Sequence, residues 1–342
     1  MNIDGSMGEG GGQIVRTSVA LAAATGTEIR IENVRAERDP PGLKNQHLAA
    51  VEAVAEICDA ETEGVEKGSR EFRFDPEEPT GGRYEVDVCT AGSVNLIAQT
   101  VLLAAHGIDE KLVVEIEGGT DVRWSPTYDY ISGVFLPLAR RTGLHTEYEL
   151  EQRGHYPEGG GKVVLTVEPV EETKPLELRE RGEIESVAIE AHVSNLPEDI
   201  TEREVASARQ AIEERLPLSD IPVETRRTEE EAISKGTSVT AGIEFRETVL
   251  GGTCVGKIGK PAEKVGREAA DPVVEAFQAD ATVDRHAADQ LTPFVALHGG
   301  GYIAPELTSH LETVVRVCRK FGLGIGCSEG ERVEVNSTSS PS

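Results

Sequence analysis

Five short segments of this chain gather the residue types that handle phosphate. The first is Gly8-Glu9-Gly10-Gly11-Gly12-Gln13, which runs into an apolar-periodic helix expected over Gln13 to Ala24. Glycines let a backbone approach a ligand closely, and the free N–H groups of a helix start favour an anion. The loop lacks the GKS or GKT of a P-loop, and Gln13 stands where GxGxxG needs its last glycine. A plain turn with a cap would also explain the glycines, but Glu9 among them could hold a divalent metal. Gln13 and Arg16 share one face of the helix above the loop. The second segment, Arg35 to His47, places Arg35, Arg38, Lys44 and His47 around Pro40-Pro41-Gly42, with Gln46 alongside. Such local basicity in an acidic chain points to phosphate contact, because arginine offers two parallel donors; a solvated salt-bridging face is the alternative. The third, Thr90 to Gln99, starts a helix on small residues and sets Asn95 and Gln99 on one face. Last come two helix starts, His286-Ala287-Ala288-Asp289-Gln290 and Leu307-Thr308-Ser309-His310-Leu311. Neutral histidine is a capable nucleophile toward phosphorus. The residues alone do not choose between His286 and His310.

The elements that must position these segments alternate between short β-rich runs and amphipathic helices, which predicts α/β (α+β) layering. A weak internal repeat is visible. Gln13–Ala24 reads as helix, Gly26 breaks it, and Glu28–Val34 reads as strand; Ser93–Ala105, Gly107 and Lys111–Ile116 repeat the pattern, and Ala288–Leu297 with Gly299 begins a third copy. Leu43–Ile57 and Pro126–Arg141 are expected helices, Glu71–Phe74 and Arg83–Val88 strands, and Tyr148–Val167 a hairpin around PEGGGK. From Glu171 the chain becomes charge-dense, and a strand (Ser186–Val193), a helix (Glu202–Arg215), strands near Val223 and over Val239–Glu247, and a helix (Pro261–Phe277) follow. Residues 182–275 are therefore expected to form a smaller inserted α/β domain. Residues 1–181 and 276–335 would make the larger repeat domain, and 336–342 a disordered tail.

Net charge is −27 over 342 residues, with acidic residues spread along the chain. An acidic chain is ordinarily a poor partner for nucleic acid. Adaptation to concentrated salt explains the charge better, and at about 1 M salt the screening length of about 3 Å removes the objection to RNA. No apolar run reaches membrane-spanning length, no secretory leader is apparent, and the five scattered cysteines form no CxxC pair, so a reducing cytoplasm is expected.

Together the runs DGSMGEGGGQIVRTSVAL, RAERDPPGLKNQHLAAV, TAGSVNLIAQT, RWSPT, HAADQLTPFVAL and SHLETVV resemble the RNA 3′-terminal phosphate cyclase family, in order and spacing, from residue 4 to about residue 330. The resemblance implies three βαβαββ-like units in a large domain, with a smaller α/β domain inserted before the final unit. It implies an ATP-dependent, ligase-like reaction in the cytoplasm: a histidine–AMP intermediate, transfer of AMP to an RNA 3′-terminal phosphate, and closure to a 2′,3′-cyclic phosphate. It assigns the nucleophile to His310 and phosphate handling or catalysis to Arg16, Arg35, Arg38 and His47, with Lys44 and Gln46 on the substrate phosphate. Glu9 would contact ATP and a divalent metal (Mg²⁺ or Mn²⁺), and Gln99, Pro126, His286, Asp289 and Gln290 would line the nucleotide pocket. One departure stands out: where some members lend an aromatic ring to adenine, this chain has Val255. A non-catalytic relative acting in ribosomal RNA processing would be expected to lack His310, and an enolpyruvyl-transfer enzyme of related architecture should show neither this basic cluster nor the SHL histidine.

Overall fold

The computed structural model describes residues 1–338 except 171, 219, 220 and 331. The chain opens with β1 (Asn2–Asp4), α1 (Gly12–Thr25), β2 (Ile29–Glu32), α2 (Asn45–Ile57), β3 (Glu61–Glu63) and β4 (Phe72–Asp75). These strands form a sheet of order β1-β2-β4-β3, parallel in its first pair and antiparallel in the rest. α1 ends where Gly26 takes φ 59°, a left-handed cap whose N–H returns to Ala22 and Ala23 carbonyls.

The same arrangement recurs. A second unit contains β5 (Gly82–Asp87), α3 (Val94–Ala104), β6 (Leu112–Gly118), α4 (Tyr128–Tyr130), α5 (Leu136–Ala139), β7 (His145–Gln152) and β8 (Gly161–Glu168), with sheet order β5-β6-β8-β7. Its pairings again run parallel, antiparallel, antiparallel. The helix expected over 126–141 is interrupted: a π segment at Ile131–Phe135 separates α4 from α5. Pro137 lies in the first turn of α5 and has no N–H to donate back, so the regular ladder cannot run through.

The third unit begins with β9 (Leu176–Leu178), and the chain then departs to build a separate layer. That layer comprises β10 (Ile184–Ser194), α6 (Asp199–Arg215), β11 (Val223–Glu229), β12 (Gly236–Phe245), β13 (Val249–Val255) and α7 (Ala262–Gln278). Its sheet has order β11-β10-β12-β13. It has its own apolar core from Val187 to Ala281, so that core includes Ala276 and Ala281, beyond the boundary expected at 275. The chain returns through α8 (Arg285–His298), β14 (Gly300–Ala304), α9 (Ser309–Lys320), β15 (Ile325–Glu329) and β16 (Val333–Ser337). The sheet order β15-β16-β14-β9 repeats the pattern of the first two units. Asn336 and Ser337, placed in the expected disordered tail, pair with Gly326 and Ile325 and so extend the ordered chain.

One apolar core runs through all three repeated units. α1 packs against α2, α3 and α9, so the helix that follows the glycine loop touches a helix from every unit. Asp284 and Gly251 fasten the fourth sheet to this body: the buried Asp284 carboxylate accepts from the Gly251 N–H at 3.1 Å, from Tyr130 Oη at 2.8 Å, and from the N–H groups of His286 and Ala287. A second fastening is the buried Arg153 guanidinium, which donates to Asp121, to both oxygens of Asp129 at 2.8 Å, and to Glu230 at 3.3 Å. Burial opposes charge on Asp121, yet the adjacent Arg153 prevails and holds the carboxyl below its ordinary range. No helix of the described residues is long and apolar enough to cross a membrane.

Candidate active site

The glycine loop is clamped between two helices of different units. A Cβ on Gly8, whose φ is 55°, would lie 2.0 Å from Thr313 Oγ1 of α9. A Cβ on Gly12 would lie 2.0 Å from His47 Nε2 of α2. Both approaches exclude any side chain, so the glycine content at these two positions follows from close packing.

Glu9 projects from this clamp to the start of α9. Its carboxylate accepts from Ser309 Oγ and lies 3.0 Å from His310 Nε2. Arg38 donates to the Glu9 backbone carbonyl at 3.1 Å and stands 3.8 Å from its carboxylate. The other ring nitrogen of His310, Nδ1, lies 2.8 Å from Gln13 Oε1. Gln13 in turn donates from Nε2 to Asp289 Oδ2 at 2.6 Å. The amide oxygen can only accept, so this chain of bonds places a proton on His310 Nδ1, while Nε2 faces the Glu9 carboxylate, which also only accepts. Thr308 caps α9 by accepting from the Leu311 N–H, which fixes the turn that carries Ser309 and His310.

Burial pushes the Asp289 carboxyl up to about 7, with Gln13 and Arg16 opposing the shift. Burial also draws Arg16 down to about 10, while Asp289 supports its charge, so the guanidinium remains cationic at neutral pH. His47 is pushed down to about 3 by burial first and then by Arg16, Arg35 and Lys44. Its Nδ1 accepts the Lys44 N–H at 3.2 Å, so the neutral ring carries its proton on Nε2, at the face of Gly12. His47 can therefore donate a hydrogen bond to an anion but has little capacity as a cation.

The structure thus brings together Glu9, Gln13, Arg16, Arg38, His47, Asp289 and His310, with His286 close enough for His310 to depress its proton affinity, after burial, the larger cause. The His286 ring meets Tyr130 edge-on at 6.4 Å. Arg35 faces inward: at φ 50° it donates from Nη1 to the Pro40 and Gly42 carbonyls at 3.0 and 2.9 Å, shaping the basic turn. Lys44 is exposed. Gln46 accepts the Ser93 N–H at 3.3 Å and ties the basic segment to the start of α3. Gln99 Nε2 and Gln290 Oε1 are buried without a hydrogen-bond partner among the described residues, an arrangement that suits groups awaiting a polar ligand. Asn95, grouped with Gln99 by spacing, is structural: it donates to the Thr120 and Pro126 carbonyls and accepts from Tyr148. Val255 is half-buried at the end of β13, opposite Ser238.

Sequence reasoning missed the roles of Ser309 and Asp284. Both sit beside histidines that spacing had singled out, and a short polar residue at a helix start was the signal available for each. No cluster of three or more His, Cys, Asp or Glu side chains that could hold a metal occurs among the described residues.

The sequence profile of the RNA 3′-terminal phosphate cyclase family matches residues 7–325. Among named relatives, the RNA 3′-terminal phosphate cyclase of Methanopyrus kandleri is 43% identical over 343 aligned residues, covering 98% of this chain and 97% of the relative. That of Thermococcus kodakarensis is 43% identical, covering 97% and 95%. That of Methanosarcina mazei is 41% identical, covering 94% of each. With the repeated βαβαββ units and the clustered segments in place, the chain belongs to the RNA 3′-terminal phosphate cyclase family.

Proposed function

We propose that the protein uses ATP to convert an RNA 3′-terminal phosphate to a 2′,3′-cyclic phosphate, with His310 as the nucleophile. The observation that carries this reading is the two-sided hold on the His310 ring: Nδ1 at 2.8 Å from Gln13 Oε1 and Nε2 at 3.0 Å from Glu9. Nε2 attacks the α-phosphorus of ATP, and the bond to the pyrophosphate oxygen breaks. An oxygen of the RNA 3′-phosphate then attacks the same phosphorus, which frees the histidine and leaves AMP on the RNA end. The neighbouring 2′-hydroxyl attacks the 3′-phosphorus, loses its proton, and expels AMP. That last step is intramolecular, so proximity supplies much of its rate, and the need for a 2′-hydroxyl selects RNA.

This chain's own groups divide the work. Gln13, fixed by Asp289, keeps the proton on Nδ1 and orients the ring. The Glu9 carboxylate stands 3.0 Å from Nε2, where it can take the proton that Nε2 must lose before attack, and it would also hold a divalent metal carried with the triphosphate. A bound divalent metal supplies charge neutralisation on the phosphates. Arg16 and Arg38 offer cationic donors to the phosphates, with Lys44 and Gln46 beside them, and His47 offers a neutral N–H. Arg35 acts as a positioning residue for the turn. Gln99, Gln290, Pro126 and His286 line the nucleotide side. We take residues 182–275 as an inserted α/β domain and 1–181 with 276–335 as the catalytic body.

The test is incubation of RNA ending in a 3′-phosphate with the protein, ATP and Mg²⁺ or Mn²⁺. The expected product resists phosphatase, and an RNA lacking the terminal 2′-hydroxyl accumulates the adenylylated end. Phosphatase-sensitive ends after complete incubation at both low and molar salt would contradict the reading.

A further inference from the structure

The chain is acidic, and the route by which the body of an RNA reaches the site is not given by charge. Exposed apolar side chains mark another route. Of the five large hydrophobic side chains exposed among the described residues, Trp124, Tyr156 and Ile233 stand on three loops that are bonded to one another. The Asp121 N–H of the first loop donates to the Gly154 carbonyl of the second at 3.1 Å. The Glu158 N–H of the second donates to Ser234 Oγ of the third at 3.2 Å. Ile233 covers Gly160, where a Cβ would sit 2.3 Å from Ile233 Cδ1. Beneath them the Arg153 cluster with Asp121, Asp129 and Glu230 holds the three loops to a rigid base.

Trp124 is the only tryptophan of the chain and is 89% exposed. Its φ of 64° is a conformation that bulky residues seldom adopt, so the backbone holds the ring outward at some strain. The Arg123 guanidinium lies 4.5 Å from the ring centroid and stacks on it. Tyr156 is 73% exposed, and all other Phe and Tyr side chains of the described residues are at least half-buried.

These loops continue into the phosphate cluster through close contacts. A Cβ on Gly159 would lie 3.0 Å from Ala91 Cα, so the second loop rests on the Thr90–Ser93 turn. That turn is bound by Gln46, whose neighbour His47 faces Gly12. We propose that Trp124 and Tyr156 form a stacking platform for bases of single-stranded RNA upstream of the 3′ end, leading the strand over the Thr90–Ser93 turn to the phosphate cluster. The occupant follows from the chemistry: exposed aromatic faces with a stacked guanidinium accept nucleobases without regard to sequence. The loops also carry the exposed carboxylates of Glu158 and Glu231 beside the cations of Arg123 and Lys235. Charge on this face is therefore mixed, and binding rests on stacking more than on counterion release, so its affinity falls only shallowly with salt.

This inference rests on the proposed activity for its substrate, and its test is separable from it. The sole tryptophan reports directly. Titration of the full-length protein with a ten-nucleotide single-stranded RNA bearing a 3′-phosphate should quench Trp124 fluorescence saturably at both low and molar salt. A dinucleotide 3′-phosphate should leave it unchanged. Tyr156→Ala should weaken the ten-nucleotide binding by roughly fivefold or more. Trp124→Ala should raise KM for the ten-nucleotide substrate by a similar factor while leaving turnover of the dinucleotide and RNA-free adenylylation intact. Absence of quenching by an RNA that the protein does bind or convert overturns the platform, as does an unchanged ten-nucleotide KM in the Trp124→Ala, Tyr156→Ala double variant. Failure of adenylylation with quenching intact would overturn the proposed activity and leave the platform standing.

Discussion

The contact between Gly12 and His47 allows a prediction whose sign reverses with background. In the otherwise unchanged protein, Gly12→Ala puts a methyl group 2.0 Å from His47 Nε2 and 2.6 Å from its Cδ2. His47 is buried and held through Nδ1 by the Lys44 N–H, so its ring cannot swing away without losing that bond. Overpacking of this kind costs about 1–3 kcal/mol. Gly12 itself opens α1 and has no positive φ, so alanine is otherwise welcome there, with up to about 1 kcal/mol to gain in backbone entropy. In a His47→Ala background the clash is gone, and Gly12→Ala should leave stability unchanged or raise it. The coupling between the two substitutions should be about 1–3 kcal/mol, read from unfolding midpoints of the four proteins in one buffer. Equal destabilisation by Gly12→Ala in both backgrounds would refute the claim that His47 is what requires glycine at this position.

Other consequences follow from the buried polar groups. Gln13→Leu removes the acceptor that fixes His310 Nδ1–H while keeping bulk, and adenylylation should slow by about 10²-fold or more, the scale of a mispositioned reacting group, without a matching loss of stability; an unchanged rate sinks the orienting role. Arg153→Ala strands the carboxylates of Asp121, Asp129 and Glu230 in a buried junction and should cost about 3–5 kcal/mol in chemical denaturation, whereas a loss below 1 kcal/mol would mean the junction is not a fastening. Asp289 titrates with its folded pKa raised from 3.8 to about 7, so the folded state holds the extra proton between those values. Stability from this group is complete below pH 4 and is lost as pH rises through 7, by up to about 4 kcal/mol, and Asp289→Asn should flatten that part of the profile. His47 has the opposite sign: its folded pKa is lowered from 6.5 to about 3, so its contribution is present above pH 6.5 and disappears toward pH 3. Acid titration of His47→Gln should show a shallower loss in that window than the unchanged protein.

Much of the site was legible because its residues sit at helix starts. GEGGGQ, the PPGLKNQH run and the SHL segment each place polar groups where backbone N–H groups are free, and spacing exposes such positions. The repeat was legible in its helices, which are long and periodic. The strands of the third unit were not: β9, β14, β15 and β16 run only three to five residues, too short for alternation to register. The π interruption after Tyr130 followed from Pro137, but a helix pattern reads through it. Spacing could not separate His310 from His286. Geometry favours His310 because both of its ring nitrogens are engaged, by Gln13 and Glu9 from the other end of the chain, whereas the His286 ring meets Tyr130 edge-on. The Arg153 junction was illegible for the same reason: Asp121, Asp129 and Glu230 carry no signal until folding brings them to one guanidinium. Asn95 shows the converse, a polar residue on one face with Gln99 that the fold spends on bracing the Thr120 and Pro126 carbonyls.

The most direct measurement is RNA-free incubation with α-labelled ATP and a divalent metal, followed by denaturing separation of the protein. The expected result is an acid-labile label in the unchanged protein and in His286→Ala, and none in His310→Ala. Label retained by a folded His310→Ala protein, or lost only in His286→Ala, would contradict it.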